Sequence, residues 1–91
     1  MNRIYFDNAA TTQMDPKVID VMMNSMQTIY GNPSSTHQFG RSAKSAIEKA
    51  RRNIAKQFNA KASEIVFTAG GSEADNMILH NAVTNLGVER I

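Results

Sequence analysis

The stretch of this 91-residue chain best equipped for chemistry is Gly70-Gly71-Ser72-Glu73, a glycine pair followed by a hydroxyl and an acid. The apolar run Ile65, Val66, Phe67 and Thr68 leads into it, and a helical pattern follows. A helix that begins here presents backbone N–H groups that have no intrahelical acceptor. Those donors and the helix dipole favour an anion, phosphate above all. Gly70 and Gly71 let the backbone approach a ligand with no Cβ in the way. Ser72 can donate its hydroxyl to a phosphate oxygen, and Glu73 and Asp75 sit in the first turn, where the dipole favours acids. The spacing matches neither the Walker loop nor the dinucleotide fingerprint. A plain turn with a capped helix has the same local pattern, so the residues alone leave both readings open.

Other chemically capable residues are isolated. His37 follows Ser34-Ser35-Thr36 and reads as a loop or capping histidine; His80, behind Met77, Ile78 and Leu79, reads as a partly buried structural one. Asp7, Glu73 and Asp75 have no paired carboxylate at an evident spacing, so acid–base work of the glycosidase kind is not supported. With no Cys, disulfides and thiolate metal sites are excluded within the chain, and no metal site is expected.

The elements that must position the glycine turn can be read from periodicity and punctuation. Ile4, Tyr5 and Phe6 form a short extended segment, and irregular chain follows. Asp15-Pro16 signals a helix start, with Val18, Met22, Met26 and Ile29 at helical spacing. The Met22, Met23 and Met26 cluster reads as core filling. Residues 31–35 form a loop. A second helix is expected over 40–58, with Ala43, Ile47, Ala50, Ile54 and Phe58 on one stripe and a basic, solvated face opposite. Residues 65–68 read as a strand. A third helix carries Ala74, Met77, Ile78, Ala82 and Leu86 on its buried face, and Gly87 stops it. Residues 88–91 could open another strand. Strand, helix and strand would form a βαβ unit of an α/β fold, but one such unit cannot build a sheet, so the chain is expected to stop within a fold.

Composition narrows the function classes. Hydrophobic residues make up 42% and charged residues 20%, which is ordinary globular composition. The net charge of +2 is too weak to argue for nucleic acid, and the basic helix lacks the interleaved aromatics of single-strand binders. No apolar run is long enough for a signal peptide or a membrane span, so no membrane partner is expected and a cytoplasmic location is the default.

Three motifs together point further. Tyr5-Phe6-Asp7-Asn8-Ala9-Ala10-Thr11-Thr12 resembles the opening segment of cysteine desulfurases of the NifS and IscS type. Tyr30-Gly31-Asn32-Pro33-Ser34-Ser35-Thr36-His37, followed by Phe39-Gly40, resembles their next signature, and the stretch from Glu64 to Asn76 resembles the third. All three stand in the family's order and spacing, and they cover essentially the whole chain.

The resemblance implies the N-terminal portion of a pyridoxal 5'-phosphate enzyme of fold type I, aminotransferase-like, α/β and incomplete in this chain. Residues 1–40 would be an extended segment, helix and loop. Residues 41–91 would be a helix and the first strand–turn–helix of the cofactor-binding domain. The family's phosphate-binding turn maps onto Gly71 and Ser72, with Ser72 where threonine is more usual. Asn8 and Ala9 map near the substrate side of the pocket, and 32–37 onto a loop near the active site and dimer interface. No residue of this chain is expected to be catalytic. The family's lysine, pyridine-nitrogen carboxylate, stacked histidine and cysteine nucleophile lie elsewhere. The implied reaction takes L-cysteine to L-alanine with sulfur held as an enzyme persulfide, for a sulfur-acceptor protein and iron–sulfur or thio-cofactor synthesis. The implied assembly is a homodimer, and the chain alone is expected to be inactive. Two alternatives stand beside this. One is a related class V enzyme such as a selenocysteine lyase. The other is a small non-catalytic interaction domain that uses the basic helix or the methionine cluster.

Overall fold

Asp15 and Pro16 begin the first helix as their types require. The Asp15 carboxylate accepts the Lys17 N–H at 2.8 Å, and Pro16 occupies the first helical position, where its missing N–H costs nothing. The computed structural model describes all residues, Met1–Ile91, and contains helices and turns but no strand. Its elements are α1 (Pro16–Thr28), α2 (Gln38–Gln57), a 3₁₀ turn (Ala62–Glu64) and α3 (Gly71–Thr84). Replacing Asp15 by Ala is expected to cost about 1 kcal/mol of helix stability. Faster amide exchange at Lys17 and Val18 would report it.

The chain divides into two compact units, Met1–Ala50 and Arg51–Ile91. In the first, the loop between α1 and α2 is built from local hydrogen bonds. Asn32 accepts twice, its side-chain oxygen from the Ser34 N–H and its carbonyl from the Ser35 N–H, both at 2.9 Å. The loop closes onto the start of α2 through two glycines. A Cβ on Gly31 would overlap the Phe39 carbonyl, and one on Gly40 would overlap the Ser35 and Asn32 carbonyls. The Tyr30 ring stacks on Phe39 with centroids 5.6 Å apart. Helix α2 starts two residues before its expected position, because His37 accepts the Gly40 N–H at Nδ1 (3.3 Å) and so satisfies a first-turn donor.

In the second unit, α2 ends in a Schellman-type closure. Asn59 adopts φ 52°, the Asn59 N–H bonds Lys56 O at 3.3 Å, and the Ala60 N–H bonds Ala55 O at 2.9 Å. The 3₁₀ turn is fastened by the Glu64 carboxylate, which accepts the Lys61 N–H at 2.7 Å. After α3, Gly87 takes φ +66° and the Val88 N–H reaches back to Ala82 O at 3.1 Å, so the expected stop at Gly87 is where the chain turns away.

Several expectations change. Ile65 is extended, but residues 65–68 form no ladder, because a strand exists only when a second extended segment supplies its hydrogen-bond partners. Residues 88–91 form no strand either. The α/β layering is therefore not formed within these 91 residues. The expected core stripes are also not covered. Only Ala43 and Ala55 are buried apolar residues, at 5% and 2% exposure. Met26 is 67% exposed, Phe58 75% and Leu86 71%, and Met22, Met23, Met77 and Ile78 are exposed too. The methionine cluster is an open apolar surface here, not core filling. The accessible surface is 8511 Å². Two well-packed units of about 5 kDa each would together expose about 6,300 Å². These helices carry apolar faces larger than the chain itself can cover.

Candidate functional site

The sequence-predicted site lies at the N-terminus of α3. Gly70 is the N-cap residue and is fully extended (φ 177°, ψ 178°). Gly71 and Ser72 are the first two helical residues, so the helix opens one residue before Ser72. The first bond into the helix runs from the Ala74 N–H to Gly70 O at 3.2 Å. The N–H groups of Gly71, Ser72 and Glu73 therefore precede the helical ladder and point out of its end. No side-chain cap covers them. A Cβ built on Gly70 or Gly71 would meet nothing within 4 Å, so the approach to these donors is open. Ser72 is exposed, with its hydroxyl in the first turn beside them.

Side chains around the turn hold it without occupying it. The Glu73 carboxylate accepts the Ala69 N–H at 2.9 Å and ties the third helical residue to the residue before the cap. Thr68 Oγ1 donates to Gly70 O at 3.0 Å, and Asn76 Nδ2 donates to Ser72 O at 2.8 Å. From its place in the first turn Glu73 is expected only to favour the dipole; an acid at the third helical position is also the usual place for a side chain that reaches back across a helix start.

The other singled-out residues stand apart from this turn. Asn8 and Ala9 lie in a turn in which Asp7 O accepts the Ala10 and Thr11 N–H groups, and the Tyr5 hydroxyl bonds Asp7 O at 3.0 Å. His37 caps α2 and packs edge-on against Phe39, which is the loop role expected of it. His80 is exposed rather than partly buried, because nothing covers that face of α3. No group of three or more His, Cys, Asp or Glu side chains is placed to hold a metal ion.

The sequence pattern of the class-V aminotransferases matches residues 4–90. The chain belongs to this family. It is similar to the putative cysteine desulfurase IscS 1 of Bacillus subtilis (strain 168), with 46% identity over 87% of this chain and 21% of that protein. It is 47% identical to the mitochondrial cysteine desulfurase of Saccharomyces cerevisiae, over 84% of this chain and 16% of that protein. It is 42% identical to the human selenocysteine lyase, over 89% of this chain and 18% of that protein. The chain thus spans about a fifth of the length of the curated relatives it matches.

Class-V aminotransferases imply pyridoxal phosphate, and the α3 turn suits one part of it. Three outward backbone donors, a serine hydroxyl and open space beside Gly70 and Gly71 form a donor set for a phosphate monoester. The chain holds no cysteine, so no persulfide can form on it.

Proposed function

We propose that this chain supplies the phosphate-anchoring turn of a pyridoxal-phosphate-dependent cysteine desulfurase. The observation that carries the reading is the N-terminus of α3, with Gly71 and Ser72 as its first two residues, open space beside Gly70 and Gly71, and no side-chain cap hydrogen bond. The Gly71, Ser72 and Glu73 N–H groups and the Ser72 hydroxyl donate to the phosphate oxygens, and the helix dipole favours the dianion. Glu73 turns its carboxylate back onto Ala69 and so keeps the donors aimed outward. Together they orient the cofactor for groups supplied from other parts of the enzyme. When bound, the cofactor supplies the electron sink needed to release sulfur from L-cysteine and leave L-alanine. The sulfur passes to an enzyme cysteine and then to an acceptor protein, and the working assembly is a homodimer. Residues 1–40 serve as the leading segment, helix and loop, and 41–91 as the start of the cofactor domain.

A second substrate reading has its own support. Three mammalian relatives named selenocysteine lyase are 40–42% identical to this chain, close to the 46% of the Bacillus desulfurase. The phosphate turn serves either substrate. Parallel turnover of L-cysteine and L-selenocysteine by a full-length enzyme carrying this segment separates them, and activity on selenocysteine alone would replace the desulfurase reading.

Ser72→Ala in such an enzyme tests the anchoring role. Losing one hydrogen bond to a charged acceptor is expected to weaken cofactor retention by about tenfold or more. Turnover at saturating cofactor should change much less. Unchanged retention with lost turnover would move Ser72 out of the anchor.

A further inference from the structure

The phosphate donors can be aimed only if the chain entering α3, residues 65–70, is itself held. Beside the local bond from the Ile65 N–H to Ala62 O at 3.1 Å, one side chain from α2 reaches the segment. The Arg51 guanidinium, on α2, donates through Nη1 to Ile65 O, and its central carbon lies 4.8 Å from the centroid of the Phe67 ring. Both contacts fall within the same compact unit, and Arg51 is half-buried. A hydrogen bond to one residue and a cation–π contact to a ring two residues later tie the segment to α2 at two points. One planar, fork-shaped cation can make both contacts at once, whereas a lysine ammonium is a point charge with no face to stack.

Little slack remains beyond that clamp. Thr68, Ala69 and Gly70 separate Phe67 from the helix, and Thr68 Oγ1 and the Glu73 carboxylate fasten two of these three. We propose that Arg51 is a positioning residue for the phosphate turn: by clamping Ile65 and Phe67 onto α2 it sets where the Gly71, Ser72 and Glu73 donors point. This rests on the phosphate reading of the turn, but the clamp can be tested separately from it.

The test uses a cofactor-free full-length enzyme carrying this segment, its R51K and F67L variants, inorganic phosphate as the probe and amide NMR as the readout. R51K keeps the charge and the helix propensity, so an effect of charge alone would leave phosphate binding intact. The expected result is a phosphate dissociation constant raised about fivefold in R51K, with unchanged helical circular dichroism. Shifted amide resonances from Thr68 to Glu73 should appear even without phosphate. Ring-shifted Arg51 side-chain resonances should be present in the wild type and lost in F67L. Wild-type resonances at 68–73 in R51K would overturn the clamp. Shifted resonances with unchanged phosphate affinity would overturn its functional consequence. If wild-type amides at 71–73 ignore phosphate, the phosphate reading fails, and the resonances at 68–73 in R51K still decide the clamp.

Discussion

Replacing Gly40 by alanine is expected to destabilise the Met1–Ala50 unit by about 1–3 kcal/mol, the usual range for forcing atoms into an occupied space. The new Cβ would sit 2.6 Å from Asn32 O and closer still to Ser35 O. Both obstacles are backbone atoms, so neither can rotate aside, and relief requires the 32–35 turn to lift off the start of α2. The better helix propensity of alanine offsets at most about 1 kcal/mol of this. In a unit whose only buried apolar side chain is Ala43, such a loss is a large share of its stability. Thermal unfolding followed by circular dichroism checks it, with Gly70→Ala as the control. Gly70 has extended φ and nothing within 4 Å of a built Cβ, so its replacement meets no clash and should cost only the poorer N-cap preference of alanine. Equal midpoints for the two variants would mean that the loop is not seated as described.

Ser72→Asp should separate helix stability from ligand binding, because the two respond with opposite sign. A carboxylate in the first turn of α3 stabilises the helix by about 0.3–1 kcal/mol through its dipole. The same carboxylate removes the hydroxyl donor and places negative charge where the phosphate would sit. Phosphate affinity should fall on the order of a hundredfold, the sum of a lost charged hydrogen bond and like-charge repulsion. A phosphate titration and a helix melt on the same variant give both numbers. Stronger helix with intact phosphate binding would place the anion somewhere other than this turn.

What could be read from the sequence follows the range of the forces involved. Asp15-Pro16 announced α1 correctly, because a cap and a first-turn proline act within three residues. The turn at 70–73 was legible for the same reason: glycine, hydroxyl and acid meet at one helix end. Helix α2 began two residues early because a histidine caps it, and histidine is not among the favoured capping types. The strand at 65–68 failed because a ladder needs a distant partner that no local pattern can supply. The apolar stripes did locate helices, but a stripe does not say what covers it, and Met26, Phe58 and Leu86 stand open. The clamp from Arg51 to Ile65 and Phe67 spans more than a dozen residues and so left no local signature; in the sequence Arg51 looked like one more cation on a solvated face.

Docking of the cofactor's phosphate on the first turn of α3 can be followed directly by titrating a cofactor-free full-length enzyme carrying this segment with pyridoxamine phosphate and, in parallel, with pyridoxamine, and observing its backbone amides. Neither compound carries an aldehyde that could react with the lysines. The phosphorylated compound should move the Gly71, Ser72 and Glu73 amides, and the compound without phosphate should leave them in place. Movement concentrated instead on the α2 face that carries Arg41, Ser45 and Lys49, or identical responses to the two compounds, would mean that the phosphate does not dock on the α3 turn.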